Sequence, residues 1–239
     1  MNSDNLSKRL QTVADFINKY GKDPKRLADI GTDHAYLPVN LILGQKIHFA
    51  IAGDIVEGPY QSAKREVENK SLETKIHVRK GNGLEVISDT DNINIISICG
   101  MGGKLITEIL DKDKYKVSKA SLLVLQSNTG GHNIRQWITN QGYSIIDESI
   151  ILEDNKFYEI IVVNTKSNSV QTLSPKEILL GPVNIANNTS NFVNYLKHQY
   201  NHYNRIYTSI SQNATNISQD KFNQIQQNIQ WIKEVLDNE

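Results

Sequence analysis

Over the first 165 residues, segments in which apolar side chains recur at helical spacing alternate with short apolar runs typical of strands. Apolar side chains at 6–17 have helical spacing, and Gly21 is placed to end that helix. Beyond it, short apolar runs typical of buried strands alternate with segments of helical period. The predicted strands are 26–30, 46–55, 75–81, 93–100 and 121–127, and the predicted helices are 36–44, 57–69, 103–110 and 132–141.

Two more strands follow without a helix between them. Segments 143–154 and 156–165 are joined by a tight turn at Glu153–Lys156, which predicts an antiparallel pair. Strands that alternate with helices form a parallel sheet with helices on both faces. We therefore predict an α/β fold with a Rossmann-like, seven-stranded sheet that ends in an antiparallel hairpin.

The composition changes after Thr165. A polar linker, 166–174, leads to a short helix with Ser174 as its predicted cap and Pro175 in its first turn. Apolar residues then recur at helical spacing in two segments that start near Phe192 and Phe222, with a reversal predicted at 212–218. We predict a C-terminal antiparallel helical hairpin close to a coiled coil, and two domains, 1–165 and 166–239.

Composition limits the class of protein. The 26 basic and 26 acidic residues balance, so any nucleic-acid binding needs a local positive patch. Cys99 is the single cysteine, which excludes an internal disulfide and fits a reducing compartment. No apolar run approaches the roughly 20 residues that span a bilayer, and the N-terminus has no signal-peptide core. We expect a soluble cytoplasmic protein that does not bind a membrane.

Polar residues and glycines follow each predicted parallel strand. In an open parallel sheet the ligand lies beyond the carboxyl ends of the strands. Asp54 follows the second strand, 23 residues after Gly31, which is close to the spacing at which a carboxylate accepts both hydroxyls of an adenosine ribose. Asn82 and Gly83 follow the third strand, where the adenine ring would lie. These residues predict a site for an adenosine-containing ligand.

The first glycine-rich turn decides between ligands. A dinucleotide site needs Gly-x-Gly-x-x-Gly, but Asp33 and Tyr36 occupy the second and third glycine positions. Carboxylates at Asp29 and Asp33 would repel a pyrophosphate, whereas the sulfonium and ammonium groups of S-adenosylmethionine are cations. We therefore predict S-adenosylmethionine as the cofactor, with NAD as the alternative.

Several motifs together resemble a known family. The segments ADIGTDHAYLP, AGDIVEGPYQSA, GNGLEVI, ICGMGG and LVLQSN occur in this order and precede the helical hairpin. In this they resemble the bacterial tRNA (adenine-22-N1)-methyltransferase family over nearly the whole chain, and the seven-stranded pattern resembles the class I methyltransferase fold. The resemblance implies methyl transfer from S-adenosylmethionine to N1 of an adenine, position 22, in the D-arm of tRNA.

The resemblance also implies roles for the residues that follow the strands. Asp29, Gly31 and His34 would line the methionine end of the cofactor, and Asp54 with its neighbour Ile55 would hold the ribose. Asn82 and Gly83 would flank the adenine. The residues expected between the cofactor and the target base are Gly100, Met101 and Gly102.

Catalysis is expected to depend on positioning. The N1 lone pair of an unpaired adenine can attack the methyl group without losing a proton first, so desolvation and alignment can suffice. The Asn/Asp-Pro-Pro-aromatic clamp of many amino-methyltransferases is replaced here by Cys99–Gly103. Asp29 and Tyr36 are the catalytic candidates, with cofactor binding an equal alternative for Asp29. Cys99 follows an apolar run and is expected to be a buried, unreactive thiol.

A positive surface is predicted near the N-terminus. The residues predicted to contact tRNA are Lys8, Arg9, Lys22, Arg26 and Arg135. Tyrosines of the C-terminal hairpin either contact the tRNA or fill the seam between its helices. His198 and His202 are four apart but lack a third ligand nearby, so no metal is expected. We expect a monomer.

Other functions remain open from the residues alone. They are a methyltransferase that acts on another RNA site or a small molecule, a non-catalytic RNA-binding Rossmann-like protein, and an NAD-dependent oxidoreductase.

Overall fold

The computed structural model describes residues 2–167, 171–212 and 218–237 of the 239 in the chain. These residues form two compact units, Met1–Thr172 and Leu173–Glu239. In the described residues, no helix is long and apolar enough to cross a membrane.

The first unit is built on one sheet of seven strands. They are β1 (Arg26–Ile30), β2 (Phe49–Asp54), β3 (Ile76–Lys80), β4 (Ile95–Gly102), β5 (Leu122–Thr129), β6 (Ser144–Glu153) and β7 (Lys156–Asn164). Their order across the sheet is β3-β2-β1-β4-β5-β7-β6. The neighbouring pairs among β1–β5 are parallel. β7 runs antiparallel to both β5 and β6.

The predicted α/β class and seven-stranded sheet are confirmed, with one refinement at the hairpin. β7 lies between β5 and β6, so the antiparallel strand is inside the sheet and β6 forms its edge. Asp154 and Asn155 make the turn with φ of 49° and 59°. Two successive left-handed residues are typical of a type I′ turn, whose twist matches that of the strands it joins.

The described residues of the first unit form six α-helices. They are α1 (Lys8–Tyr20), α2 (Tyr36–Leu43), α3 (Glu57–Asn69), α4 (Gly103–Lys112), α5 (Lys114–Lys119) and α6 (Gly131–Gln141). Every residue of β2 and the first six of β5 are buried, because helices pack on both faces of the parallel strands. In α1, Ser7 accepts a hydrogen bond from the backbone N–H of Leu10, and Gly21 ends the helix as predicted.

The strand order places the site. The chain passes from β1 outward through β2 and β3, and then returns to β4 on the other side of β1. Loops that leave β1 and β4 therefore diverge in opposite directions and open a crevice at the carboxyl ends of the strands. α1 begins at this end, because it runs from Lys8 towards the amino end of β1 at Arg26.

The starts of α4 and α6 approach each other closely. A Cβ atom at Gly103 would lie 2.0 Å from the carbonyl oxygen of Gly130, a distance that backbone atoms cannot tolerate. Glycine at this position is therefore required by packing. Gly58, in α3, offers a control, because a Cβ atom added there would have no heavy atom within 4 Å.

We expect Gly103→Ala to lower the free energy of unfolding by about 1–3 kcal/mol, the usual cost of forcing atoms into a packed region. Gly58→Ala should leave it unchanged or raise it by up to about 1 kcal/mol, since alanine is the better helix former. Urea unfolding of both variants measures the difference. Equal midpoints would show that the two helix starts can separate at no cost.

The second unit is helical. It contains α7 (Pro175–Leu180), α8 (Pro182–Asn187), α9 (Ser190–Gln212) and α10 (Gln219–Leu236). Ser174 caps α7 as predicted, and it forms a reciprocal capping box with Glu177. α9 and α10 pack together as a hairpin, with the Tyr207 and Phe222 rings 5.1 Å apart. Most of the predicted reversal, at 213–217, lies outside the described residues.

Candidate functional site

A cavity of about 400 Å³ opens at the carboxyl ends of β1, β2, β3 and β4. Its wall combines carboxylates, glycines and apolar side chains. Of the predicted cofactor residues, those that line it are Asp29, Gly31, Asp54, Ile55, Asn82, Gly83, Gly100 and Met101. Sequence separation between these residues is large, and the strand order alone brings them together.

Asp29 is the buried acid of this cavity, with 3% of its surface exposed. Its carboxylate accepts hydrogen bonds from the hydroxyls of Thr32 at 2.7 Å and Ser97 at 2.6 Å. Burial raises the pKa of Asp29 above its ordinary value against the effect of these donors, and the negative charge of Asp54 raises it further. A cation bound beside this buried carboxylate would balance its negative charge and stabilise the ionised form.

The turn after β1 has an unusual backbone. Gly31, His34 and Ala35 have φ of 71°, 66° and 54°, which places them in the left-handed region. For the non-glycine residues this conformation costs of order 1–3 kcal/mol each, and such strain concentrates at functional sites. The turn exposes Asp33 to the cavity, while the Met101 side chain lies directly over Gly31.

Asp54 ends β2 and has 8% of its surface exposed. One carboxylate oxygen accepts a hydrogen bond from the backbone N–H of Val56 at 2.8 Å, which fixes the side chain at the cavity wall. Ile55 and Val56 are both 56% exposed. Large apolar side chains held open beside a carboxylate suit a ligand with a flat ring next to a polyhydroxylated group.

The third wall comes from the end of β3 and from α4. Gly81, Asn82 and Gly83 follow β3, and Leu105 and Ile109 of α4 face them across the cavity. A Cβ at Gly83 would lie 3.0 Å from Ile109, so this glycine keeps the slot between loop and helix open. The amide of Asn82 provides both donor and acceptor groups beside this slot.

The fourth wall is the end of β4. Gly100 has φ of 79° and lies at a break in the register between β4 and β5. Its N–H donates to the side-chain oxygen of Gln126 at 2.9 Å, and its carbonyl accepts from the side-chain amide of Asn128 at 2.8 Å. Cys99 is half-buried and lines the cavity, so the fully buried thiol predicted from the sequence is not observed; desolvation still raises the pKa of this thiol, which disfavours the reactive thiolate.

Arg9 of α1 also lines the cavity. Its guanidinium donates to Gln126 at 2.6 Å and lies 5.1 Å from the centre of the Tyr158 ring. Its Nε also forms an ion pair with the carboxylate of Glu153, at 3.8 Å. The sequence identified Arg9 only as part of a surface patch. Its position in the cavity depends on β5 and β7, which follow it by more than a hundred residues.

Three of the residues predicted for cofactor binding or catalysis do not line the cavity. His34 and Tyr36 stack on each other with ring centres 5.0 Å apart, and Gly102 lies beyond the cavity wall. Sequence reasoning missed Ser97 and Gln126, two fully buried polar residues within apolar strands. A polar side chain inside an otherwise apolar strand pattern is the signal that could have identified both.

The prediction that Arg135 contacts RNA is wrong. Its side chain is fully buried between Glu148 at 2.6 Å and Glu159 at 2.8 Å. Burial of a charge requires such partners, and an arginine in α6 can reach them because β6 and β7 pack beneath this helix. Arg135 therefore has a structural role in this part of the sheet.

The predicted N-terminal basic cluster does not form one surface. Lys8 and Arg9 begin α1 at the cavity end of the sheet, whereas Arg26 begins β1 at the opposite end and Lys22 precedes it. The Arg26 guanidinium lies over the Phe49 ring at 4.1 Å and donates to the backbone of Asp91. A helix of this length carries the chain about 20 Å, which separates the two pairs.

The part of the chain that the structure describes contains no candidate metal site. Groups of three or more histidine, cysteine or acidic side chains with metal-binding geometry are absent from residues 2–167, 171–212 and 218–237.

Fold and site together define the class of protein. A sheet of order β3-β2-β1-β4-β5-β7-β6, with acids at the ends of β1 and β2, is that of a class I methyltransferase. Residues 27–234 match the family described as tRNA (adenine(22)-N(1))-methyltransferase. The chain belongs to this family, and the predicted family and fold class are confirmed.

Individual relatives agree with this assignment. A Bacillus subtilis tRNA (adenine(22)-N(1))-methyltransferase is 48% identical over 162 residues, which cover 68% of this chain and 66% of that protein. The crystal structure of the B. subtilis M1A22 tRNA methyltransferase TrmK matches with a TM-score of 0.86 and 38% identity, covering 97% of this chain and 99% of that one. Streptococcus pneumoniae Sp1610 in complex with S-adenosyl-L-methionine matches with a TM-score of 0.85 and 37% identity, covering 97% and 100%.

Proposed function

We propose that the protein transfers the methyl group of S-adenosylmethionine to N1 of adenine 22 in the D-arm of tRNA. The observation that carries this proposal is the cavity of this chain, whose wall contains Asp29, Asp33 and Asp54. The chain also belongs to the methyltransferase family. Three carboxylates suit a ligand with a sulfonium and an ammonium group. They disfavour the pyrophosphate of NAD, which was the alternative ligand.

Different residues of the chain bind different parts of the cofactor in this proposal. Asp29 and the Gly31 turn receive the amino-acid end, and Asp54 accepts the ribose hydroxyls. Ile55, Asn82 and Gly83 enclose the adenine, while Gly100 and Met101 separate the cofactor from the target base. His34, Gly102 and Tyr36 lie outside the cavity wall, so we leave them out of the proposed binding and catalytic sets.

The proposed chemistry needs no general base. When bound, S-adenosylmethionine supplies an electrophilic methyl carbon on a sulfonium. The N1 lone pair of adenine forms the new N–C bond as the C–S bond breaks, and the electron pair of that bond returns to sulfur. The protein's contribution is alignment and exclusion of water. The described lining residues include no histidine or lysine, and their one cysteine is held as a thiol, which fits this mechanism.

The target adenine must leave its stack or pair to reach the cavity, at a cost of a few kcal/mol. We propose that the C-terminal domain, 166–239, contacts the tRNA and helps to offset this cost. Its long helix α9 presents a groove lined by amide and hydroxyl side chains with one arginine: Asn201, Asn204, Arg205, Thr208, Ser209 and Gln212. Lys8, exposed at the cavity end of α1, is a further proposed tRNA contact. Because the proposed partner is tRNA, we also propose that the protein acts in the cytoplasm.

Incubation of the protein with labelled S-adenosylmethionine and an unmodified tRNA transcript tests the function directly. We expect one methyl group per tRNA and a primer-extension stop immediately 3′ of position 22, because a methyl at N1 blocks the Watson–Crick edge. A matched transcript with guanine at this position should accept no label. Label at another position, or on small molecules alone, would contradict the proposal.

Light scattering of the same protein sample tests the predicted monomer.

A further inference from the structure

Asn128 is an exposed residue at the end of β5 whose side chain is held in place by hydrogen bonds. Its Nδ2 donates to the carbonyl oxygen of Gly100 at 2.8 Å, and its Oδ1 accepts from the Nε2 of Gln126 at 3.1 Å. Gly100 lines the cavity and Asn128 does not. The Asn128 amide therefore adjoins the cavity wall at the end of β4 while it remains open to solvent.

The neighbouring groups decide which end of this amide is the oxygen. The Oε1 of Gln126 accepts hydrogen bonds from Arg9 at 2.6 Å and from the backbone N–H of Gly100 at 2.9 Å. Because both donors meet this oxygen, the amide nitrogen of Gln126 faces Asn128, which presents its own oxygen in return. A flipped Asn128 would place two donors together at Gln126 and two acceptors together at Gly100. Gln126 is fully buried, so a donor left unpaired there would be costly.

The Asn128 amide keeps hydrogen-bonding capacity beyond this network. A side-chain amide has two lone pairs on its oxygen and two N–H donors, and the bonds to Gln126 and Gly100 use one of each. One acceptor and one donor therefore remain on an exposed group whose orientation is set in advance. By contrast, the N–H and carbonyl of Gly100 are both bonded, and Asp29 has only 3% of its surface exposed.

An acceptor beside a donor matches one edge of adenine. Asparagine pairs with adenine by accepting from the N6 amine and donating to N7, an arrangement that leaves N1 free. Guanine has an oxygen in place of this amine, so its O6 would face the oxygen of Asn128. An amide held in this orientation therefore favours adenine over guanine.

We propose that Asn128 is a specificity-determining residue that binds the N6 amine and N7 of the target adenine, and that Gln126 is the positioning residue that orients it. This inference rests on the proposed function, in which Gly100 and Met101 separate the cofactor from the target base. Asn128 adjoins that wall without lining the cofactor cavity, so a base bound by its amide can direct N1 towards the wall.

The test replaces single groups of the target base. Synthetic tRNAs carry adenine, purine or 7-deazaadenine at position 22, since purine lacks the amine and 7-deazaadenine has a C–H group in place of N7. Methylation rates at saturating S-adenosylmethionine give kcat/KM for each tRNA with the wild type, Asn128→Ala and Asn128→Asp. Thr129→Val changes the exposed neighbour of Asn128 at the end of β5 and serves as the control.

The diagnostic quantity is the ratio of kcat/KM for adenine to that for each analogue. The bases differ in the intrinsic reactivity of N1, but this difference cancels when the ratio of a variant is divided by that of the wild type. We expect both ratios to fall by about 5- to 20-fold in Asn128→Ala, because the hydrogen bond that each analogue lacks is already gone. Asn128→Asp keeps an acceptor but has no N–H, so its ratio should fall for 7-deazaadenine alone. Thr129→Val should keep both wild-type ratios.

Calorimetry with S-adenosylhomocysteine completes the test, and we expect all four proteins to bind it alike. Wild-type ratios in Asn128→Ala, with slower methylation of all three tRNAs, would overturn the proposal and show that Asn128 only supports Gly100. A loss of cofactor affinity equal to the loss of activity would overturn it as well, because Asn128 would then shape the cofactor cavity. A wild-type protein that methylates no tRNA at position 22 would contradict the proposed function itself, and this proposal with it.

Discussion

Replacement of Asp54 by alanine should weaken S-adenosylmethionine binding by at least about 100-fold, because two hydroxyl hydrogen bonds to a charged acceptor are lost together. Asp54 ends β2 at the cavity wall, and the N–H of Val56 orients its carboxylate. Isothermal calorimetry measures the affinity. Circular dichroism should show an unchanged fold, because the hydrogen bond that the structure shows for this side chain is a local one, from the N–H of Val56.

Two variants make the Asp54 experiment specific. Asp54→Asn keeps an oxygen for the Val56 N–H but loses the charge and one acceptor, so its affinity should lie between those of the wild type and Asp54→Ala. Glu57→Ala removes an exposed acid three residues later that pairs with Lys80 and does not line the cavity. This control should bind the cofactor normally. Near-normal affinity in Asp54→Ala would mean that the ribose lies elsewhere.

Asp29→Asn should weaken S-adenosylmethionine binding by about 10- to 100-fold, since the cation loses its buried counter-charge. The fold should persist because the hydroxyls of Thr32 and Ser97 can rotate to pair with either an oxygen or an amide. The ionised carboxylate is disfavoured by burial in the folded protein, which raises its pKa. Removal of that charge should therefore leave the ligand-free protein at least as stable as the wild type at neutral pH.

The pH dependence of binding provides a second measure of Asp29. The ionised form attracts the cationic ligand and the protonated form does not, so wild-type affinity should fall as pH decreases through the raised pKa of Asp29. Asp29→Asn should show a flatter profile below about pH 7, where the ligand's ammonium stays protonated. The loss should begin at a higher pH than for an ordinary aspartate. Parallel profiles for both proteins would assign the pH dependence to another group.

Local sequence signals predicted the elements closely. The helix expected at 57–69 is observed at Glu57–Asn69, and strand expectations differ by a few residues at their ends. These signals succeeded because apolar periodicity and caps act within one turn or one strand. They missed α5 and α8, each six residues long, because one or two turns carry too little periodicity to be recognised.

That several polar residues share one cavity was predictable for a related reason. Each follows a parallel strand, and the carboxyl ends of such strands share one edge of the sheet. Asp29, Asp54 and Asn82 could therefore be placed together from their positions in the chain, and the structure brings them to one cavity. The roles of these residues in binding remain predictions for the experiments above.

The cationic residues were not predictable in this way. Arg9 and Arg26 lie on neighbouring parts of the sequence, yet α1 carries the chain from one end of the sheet to the other between them. Arg135 was expected at the surface, but Glu148 and Glu159 from two later strands enclose it. A long charged side chain takes its role from partners that are distant in sequence, so its position alone does not reveal its role.

The amino-acid sequence by itself determined the alternation of strands and helices, the family, and the acids that follow β1 and β2, since these depend on periodicity and on order along the chain. The tertiary structure alone decided which polar side chains from different elements form hydrogen bonds with one another. Gln126 joins Arg9 to Gly100 only because β5 lies beside β4 and α1 packs against β5. Hydrogen bonds act over about 3 Å in space, and no local pattern encodes that proximity for residues separated by more than a hundred positions.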